Sequence, residues 1–212
     1  MIPPLRFFSD TRLTHRSYRA SALNQLADCE QKIEDKEKEL EWYRLKTLMP
    51  HYEERDEIVA KIPNFWKIVL SQHDDFANYV RAADFKYIDA IQFLVVKWQS
   101  PRDFDITIGF QAVDQELPAQ TVKKHFYHDG DDMKSQPVEL KHNLPPRKRH
   151  NRFFDWFQWQ GLDDKSEFPN GDDLARLITD EIYPLCVKFY TEAQRDVADE
   201  DSDDESSEPE LL

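Results

Sequence analysis

Glycine and cysteine are both scarce in this 212-residue chain, which contains four glycines and two cysteines. Two cysteines are too few for a disulfide framework, which favours a reducing compartment. The shortage of glycine argues against nucleotide-binding folds, because their phosphate-binding loops depend on it. No stretch approaches the roughly 20 apolar residues that a membrane-spanning helix needs, so we expect no membrane contact.

Acidic and aromatic residues, by contrast, are abundant. The chain has 42 Asp and Glu against 28 Lys and Arg, a formal net charge of -14, together with 14 Phe, 8 Tyr and 5 Trp. The aromatic residues argue against a disordered chain, because disordered chains contain few large apolar side chains. The negative charge disfavours a surface that follows nucleic-acid phosphates, so we expect no direct sequence-specific nucleic-acid binding. It indicates a basic partner instead.

Much of the negative charge lies at the C-terminus. The 21 residues from Glu192 to Leu212 contain ten acids and one base. Because such a segment has few apolar residues to bury, we predict that residues 196–212 form a disordered acidic tail. Two interpretations of it stay open: a solubilising tail, or a flexible polyanion that neutralises a strongly basic protein.

Residues 1–20 form a leader that we leave unassigned and expect to be disordered. This leader contains four arginines and one acid, a composition that fits either a mitochondrial presequence or an unstructured extension.

Residues 21–61 read as a long helix. Ser21 is a suitable N-cap, and no Gly or Pro occurs between Ala22 and Met49. Pro50 removes a helical hydrogen bond, so we predict a kink or break there.

One face of this helix carries apolar residues at heptad-like spacing. A helix of about 28 residues is roughly 42 Å long, more than a small lobe can cover. The simplest partner is a second copy of the same helix, which would make the protein a homodimer. The alternative is an exposed helix or an intramolecular hairpin. The predicted dimer seam consists of Leu26, Ile33, Leu40 and Tyr43.

Residues 62–195 are predicted to form an α+β lobe in which a four-stranded antiparallel meander packs on helices. Apolar residues alternate in three runs that begin near Ile91, Phe104 and Val122, and Val138 with Leu140 suggests a short fourth strand. The aromatic cluster at residues 153–159 is too apolar for a surface, and we expect it to seal the core. Asn170 is the expected N-cap of the next helix, with Asp173 completing a capping box.

The sequence gives little support to catalysis, because it lacks a phosphate-binding loop, a nucleophile elbow and paired CxxC motifs. We therefore predict a protein that is not an enzyme and needs no cofactor. A metal-dependent enzyme built on His125 and His128 is the alternative. It is disfavoured because residues three apart on a strand face opposite sides.

A basic loop at residues 145–152 has three interpretations: a nuclear localisation signal, a contact with a partner, or a solvated loop. Its basic residues are Arg147, Lys148, Arg149 and Arg152.

Taken together, several motifs resemble the nucleosome assembly protein (NAP/SET) family of histone chaperones. They are the long helix, Ile62-Pro63-Asn64-Phe65-Trp66, Phe153-Phe154-Asp155-Trp156-Phe157 and Asp180-Glu181-Ile182-Tyr183-Pro184. The segments Glu41–Leu45, Phe65–His73 and Asp84–Asp89 are similar to a fungal member of that family that works with a histone acetyltransferase. The resemblance covers roughly residues 21–198.

The resemblance implies a nuclear protein, which could also shuttle to the cytoplasm. It implies a homodimer that binds core histones, chiefly histones three and four, assists nucleosome assembly without ATP, and stimulates an acetyltransferase. The alternative is an adaptor that activates a chromatin-modifying enzyme and binds histones incidentally. The histone-binding candidates are Asp172, Asp173, Asp180 and Glu181 in the lobe, and Asp199, Glu200, Asp201, Asp203, Asp204 and Glu205 in the tail.

Overall fold

The computed structural model describes residues 11–144, 152–162 and 167–204, with side chains for 18–144, 153–162 and 167–195. The chain divides into two compact units, Met1–Lys46 and Thr47–Leu212. The predicted α+β class is confirmed: a long N-terminal helix is followed by a four-stranded sheet and further helices. No helix in the described residues is long and apolar enough to cross a bilayer.

Helix α1 spans Thr11–Val59. It begins ten residues before the predicted Ser21 cap, so the helix is longer than predicted and takes in residues 11–20 of the leader. These residues contain neither Gly nor Pro, and each residue added to an existing helix gains a backbone hydrogen bond. Pro50 lies inside α1, and the helix continues for nine residues beyond it. Residues 1–10 lie outside the described residues.

The first unit presents the predicted seam on the surface of its helix. The exposed fractions are 58% for Leu26, 53% for Ile33, 67% for Leu40 and 68% for Tyr43. Away from the seam, Lys38 pairs with Glu34 at 2.6 Å, an i,i+4 pair that supports the helix. Leu26, Ile33 and Leu40 therefore expose large apolar side chains at heptad spacing.

The sheet of the second unit is an antiparallel meander in the order β1-β2-β3-β4, as predicted. Its strands are β1 (Ile91–Ser100), β2 (Asp103–Phe110), β3 (Gln120–Asp129) and β4 (Asp132–Ser135). One face is buried and includes Leu94, Val96, Ile106, Ile108, Val122 and Phe126.

The predicted fourth strand at Val138 and Leu140 is wrong. Strand β4 comes earlier, because Gly130 takes a positive φ of 65° and turns the chain tightly, so that Asp129 pairs with Asp132. The backbone N–H of Val138 instead donates to the Phe157 carbonyl oxygen at 2.8 Å.

Short helices cover the buried face of the sheet. They are α2 (Phe65–Gln72), α3 (Asp74–Ala77), α4 (Phe85–Ile88) and α5 (Arg152–Trp156). The aromatic cluster seals the core as expected, and Phe153, Phe154, Trp156, Phe157 and Trp159 are all buried. Phe126 of β3 stacks against Trp156 at 5.5 Å and Trp159 at 6.1 Å between ring centroids.

Lys124 is a charged residue in the middle of this core. It is completely buried, and its Nζ donates to the carbonyl oxygens of Gln136, Phe157 and Trp159 at 3.0, 3.1 and 2.8 Å. Burial lowers the pKa of Lys124 to about 7, and the carboxylate of Glu167 opposes that shift. The amine thus ties β3 to the segment that follows α5.

Three helical segments end the described chain: α6 (Gly171–Arg176), a π-helical turn (Leu177–Ile182) and α7 (Cys186–Asp204). Asn170 is the N-cap of α6, but its backbone is left-handed and its side chain makes no capping bond, so the predicted capping box is absent.

Helix α7 extends past residue 196, where the predicted acidic tail begins, and ends at Asp204. No Gly or Pro interrupts the helix after Cys186, so it extends from its buried first turns into the acidic segment.

Candidate functional site

An acidic cleft lies between α3 and the C-terminal helical segments. Its volume is about 300 Å³. Asp173 comes from α6, while Asp180 and Glu181 come from the π-helical turn; these are three of the four lobe candidates predicted from sequence. The lining residues are Asp75, Asn78, Tyr79, Asp173, Arg176, Leu177, Asp180 and Glu181.

The pKa of Tyr79 reflects the negative electrostatic potential of this cleft. Its pKa is raised by burial and then, in decreasing order, by the carboxylates of Asp173, Asp75 and Asp172. Negative charge near a phenol disfavours its anionic form, so three carboxylates act on a single point in the cleft. The cleft is therefore suited to a cationic ligand, although Arg176 offsets part of the charge.

Asp180 and Glu181 lie between two buried isoleucines. Asp180 is exposed and Glu181 half-buried, whereas Ile178 and Ile182 are buried at 1% and 0% exposure. The apolar side chains anchor the turn in the core, so the carboxylates lie at its surface. The hydroxyl of Thr179 donates to Oδ1 of Asp180 at 2.9 Å, which restrains that carboxylate.

Tyr183, which follows this turn, fixes it to the end of α1. Tyr183 is 1% exposed, and its ring stacks on Trp66 with centroids 6.5 Å apart. Its hydroxyl donates to Asp56 at 2.7 Å, and Arg55 donates to its carbonyl oxygen at 2.7 Å. Burial and the bond to Asp56 raise the pKa of Tyr183. The motif at residues 180–184 thus combines two surface acids with a buried anchor.

Glu181 also faces a buried histidine. Nε2 of His73 lies 3.4 Å from Oε1 of Glu181, and the His73 ring packs edge-on against Phe189 at 4.7 Å. Neither ring nitrogen of His73 has a hydrogen-bond partner among the residues with described side chains. The buried His73 ring therefore lies beside Glu181 and packs on Phe189.

A second cleft, also about 300 Å³, holds the remaining lobe candidate, Asp172. Two of its other acids have hydrogen-bond or ion-pair partners. Glu167 accepts bonds from the backbone N–H groups of Gln160 and Leu162, and Asp131 pairs with Arg102 at 3.4 Å. Glu167 and Asp131 are therefore tied to neighbouring groups, whereas Asp75 and Asp173 of the acidic cleft are exposed.

Asp75 and Tyr79 were missed by sequence reasoning. Both belong to the stretch around Phe76–Tyr79, and an acidic pair precedes the buried Phe76. That pair was the only available signal, because proximity to Asp173 arises from the packing of segments about 100 residues apart in the chain.

The remaining candidates are not brought to this cleft by the described structure. Asp199, Glu200, Asp201, Asp203 and Asp204 belong to the end of α7, whose side chains there lie outside the described residues, as does the whole of Glu205. Arg147, Lys148 and Arg149 also lie outside them, and Arg152 is the first residue of α5.

The two histidines of the metal-enzyme alternative have separate partners. His125 Nδ1 lies 3.0 Å from Asp105, and His128 Nδ1 lies 3.0 Å from the Arg102 carbonyl oxygen. Burial pushes the pKa of Asp105 up, but hydrogen bonds, first from Lys123, outweigh burial and lower it. Within the described residues there is no group of three or more His, Cys, Asp or Glu placed to hold a metal ion.

No family model matches the chain. Its relatives and the solved structures that resemble it nevertheless agree on one family. The chain is 40% identical to vacuolar protein sorting-associated protein 75 of Saccharomyces cerevisiae, over 87% of this chain and 83% of that protein. It is 29% identical to a putative nucleosome assembly protein of Schizosaccharomyces pombe, over 86% and 84%. The crystal structure of the Vps75 histone chaperone matches with a TM-score of 0.75 and 41% identity, covering 84% of this chain and 99% of that one.

Proposed function

Because this chain belongs to the nucleosome assembly protein family, we propose that it is a histone chaperone that holds histones through the acidic cleft. It binds core histones, chiefly histones three and four, and assists their assembly into nucleosomes. It acts by binding alone, without ATP or a cofactor, and it works in the nucleus and shuttles to the cytoplasm.

The observation that carries this proposal is the convergence of four acids on one cleft. Asp75, Asp173, Asp180 and Glu181 come from three segments and line a single surface. Asp173 and Asp75 both act on the pKa of Tyr79. A histone surface rich in Lys and Arg complements this arrangement.

The energetics suit a chaperone. Histones bind DNA largely through the release of counterions, and this binding weakens steeply with salt. Exposed ion pairs contribute only about 0–1 kcal/mol each. Several carboxylates acting together therefore give binding that competes with non-productive DNA contacts and can still be released. The acidic residues of the tail, from Asp199 to Glu205, add further weak contacts.

Two copies joined along α1 would double the number of such surfaces. Leu26, Ile33, Leu40 and Tyr43 expose large apolar area at heptad spacing, and burial of that area favours a coiled-coil seam. A homodimer then presents two acidic clefts to one histone assembly.

A second function, activation of a histone acetyltransferase, is implied by the resemblance of Glu41–Leu45, Phe65–His73 and Asp84–Asp89 to the fungal family member that works with such an enzyme. In that case the protein is an adaptor, and histone binding is incidental to its main role. Acetyltransferase turnover on histones, measured with and without this protein, separates the two roles. Removal of the residues after 195 should weaken a chaperone more than an adaptor.

A titration against histones three and four at two salt concentrations tests the main proposal. We expect binding near physiological salt that weakens as salt rises. Absence of binding near physiological salt would contradict the proposal.

A further inference from the structure

Strand β1 is a ten-residue edge strand. In the described part of the chain its backbone hydrogen bonds go to β2. The opposite edge is partly covered, because the Ser135 N–H in β4 donates to the Gln160 carbonyl oxygen at 3.2 Å. Alternate residues of an edge strand direct their N–H and C=O groups away from the sheet. β1 therefore presents a row of groups that can pair with an added strand.

The central part of β1 is regular enough for such pairing. Its register with β2 is irregular between Ile91 and Phe93 and between Trp98 and Ser100. Bulges of this kind discourage edge pairing. Residues 93–98 lie between the two irregularities and keep an unbroken register, so pairing is possible over six residues.

A groove of about 480 Å³ runs beside this edge. One wall is apolar and includes Phe93 and Val95, which are half-buried on the outer face of the sheet. The floor contains the buried Val59, Trp66 and Leu94. The other wall is the end of α1 and is acidic.

Three acids form this acidic wall: Glu53, Asp56 and Glu57. Their spacing of three and four residues places them on one helix face. Glu53 pairs with Lys97 at 3.3 Å, and Asp56 is held by Arg55 and Tyr183. Glu57 is exposed and has no hydrogen bond or ion pair within the described side chains. The groove therefore has one carboxylate ready for a cation and a second that can exchange partners.

We propose that this groove receives an extended basic segment of the bound histone as a fifth strand on β1. Side chains of a strand alternate between two sides. One set packs beside Phe93 and Val95, and Lys or Arg of the other set meets Glu57 and Glu53. Backbone pairing supplies affinity and the acidic wall selects a basic segment. The inference deepens the histone-binding function and rests on it.

Residue-resolved amide hydrogen exchange on the full-length protein tests the proposal, with and without histones three and four. Alternate amides in residues 93–98 should exchange readily in the free protein and slow about tenfold or more with histones. If histones bind and these amides do not change, the inference is wrong and the function stands. If histones do not bind, both are wrong. If the amides already exchange slowly in the free protein, the edge is already protected and the inference is wrong.

A charge reversal separates direct pairing from a remote effect. Glu57→Lys should weaken histone binding about threefold to tenfold and reduce the slowing at β1, since it replaces attraction by repulsion. Glu54→Lys is the matched control, because Glu54 is an exposed neighbour that does not line the groove. Equal effects of the two variants would overturn the inference.

Discussion

The hydroxyl of Tyr183 donates a 2.7 Å hydrogen bond to Oδ2 of Asp56, which joins the end of α1 to the chain that follows Glu181. Both residues are largely shielded from water, and Arg55 completes the network through Asp56 Oδ1 at 2.9 Å. The acidic residues of the π-helical turn are therefore held by a buried anchor, and this network allows a direct test.

Tyr183→Phe should lower the free energy of unfolding by about 1–3 kcal/mol, because Asp56 loses a donor in a partly buried position. Urea unfolding followed by circular dichroism measures the change. Tyr190→Phe is the matched control: its half-buried ring stacks on Phe65, and its hydroxyl makes no hydrogen bond within the described side chains, so the loss should be smaller. Tyr183→Phe with unchanged stability would show that the bond does not anchor the turn.

Lys124 should make stability depend on pH above neutrality. Its pKa falls from 10.5 in the unfolded chain to about 7 in the folded protein. Between these values the unfolded chain binds more protons, so raising the pH stabilises the fold. The slope from this group is roughly 1 kcal/mol per pH unit.

Urea unfolding of the wild type and Lys124→Met at several pH values between 7 and 9 measures this contribution. The wild type should gain stability with pH relative to Lys124→Met. Lys123→Met is the matched control and should keep the wild-type slope, since Lys123 is 62% exposed. Parallel curves for the wild type and Lys124→Met would contradict the prediction.

The alternation of apolar residues was sufficient to predict the buried face of the sheet. Ile106 and Ile108 are at 1% exposure, and Lys124 lies on the inner face as its place between Val122 and Phe126 indicated. Its three carbonyl partners come from residues 136, 157 and 159. No local pattern links those segments, because tertiary packing brings them together.

Strand β4 is polar and was not predicted by apolar alternation. Val138 and Leu140 have the apolar alternation of a strand, whereas Asp132–Ser135 does not. The tight turn at Gly130 decides the pairing, and turn geometry outweighs apolar content here.

The acids of the cleft show the same limit of sequence information. Those at 172–173 and 180–181 were predicted from the family resemblance. Asp75 was not predicted, because its contribution depends on the packing of α3 beside the π-helical turn.

Neutralising Asp173 should lower the pKa of Tyr79 towards its ordinary value of 10.0, because Asp173 is the strongest of the carboxylates that raise it. Burial acts in the same direction, so part of the shift should remain. A pH titration of the Tyr79 ring resonance by NMR compares Asp173→Asn with Asp74→Asn, whose exposed carboxylate does not line the cleft. An unchanged titration in Asp173→Asn would mean that the cleft lacks the expected potential.

Charging the seam should abolish dimerisation. Ile33→Asp combined with Leu40→Asp places like charges in the apolar stripe and is expected to give a monomer in light scattering. Ala20→Asp with Ala27→Asp is the control, because these exposed positions have the same spacing as Ile33 and Leu40 and lie on the opposite side of the helix. A dimeric mass for the Ile33 and Leu40 variant would refute the seam.

The affinity of the acidic cleft for histones three and four, in a protein that ends at Arg195, tests the central claim most directly. Ending the chain there removes the acidic tail, so the lobe is measured alone. Asp75→Asn, Asp173→Asn and Asp180→Asn together should weaken binding about tenfold or more, as expected from three weak pairs. Asp74→Asn, Glu54→Gln and Glu139→Gln remove the same charge outside the cleft and should have little effect. Equal affinities for the two triple variants would contradict the account.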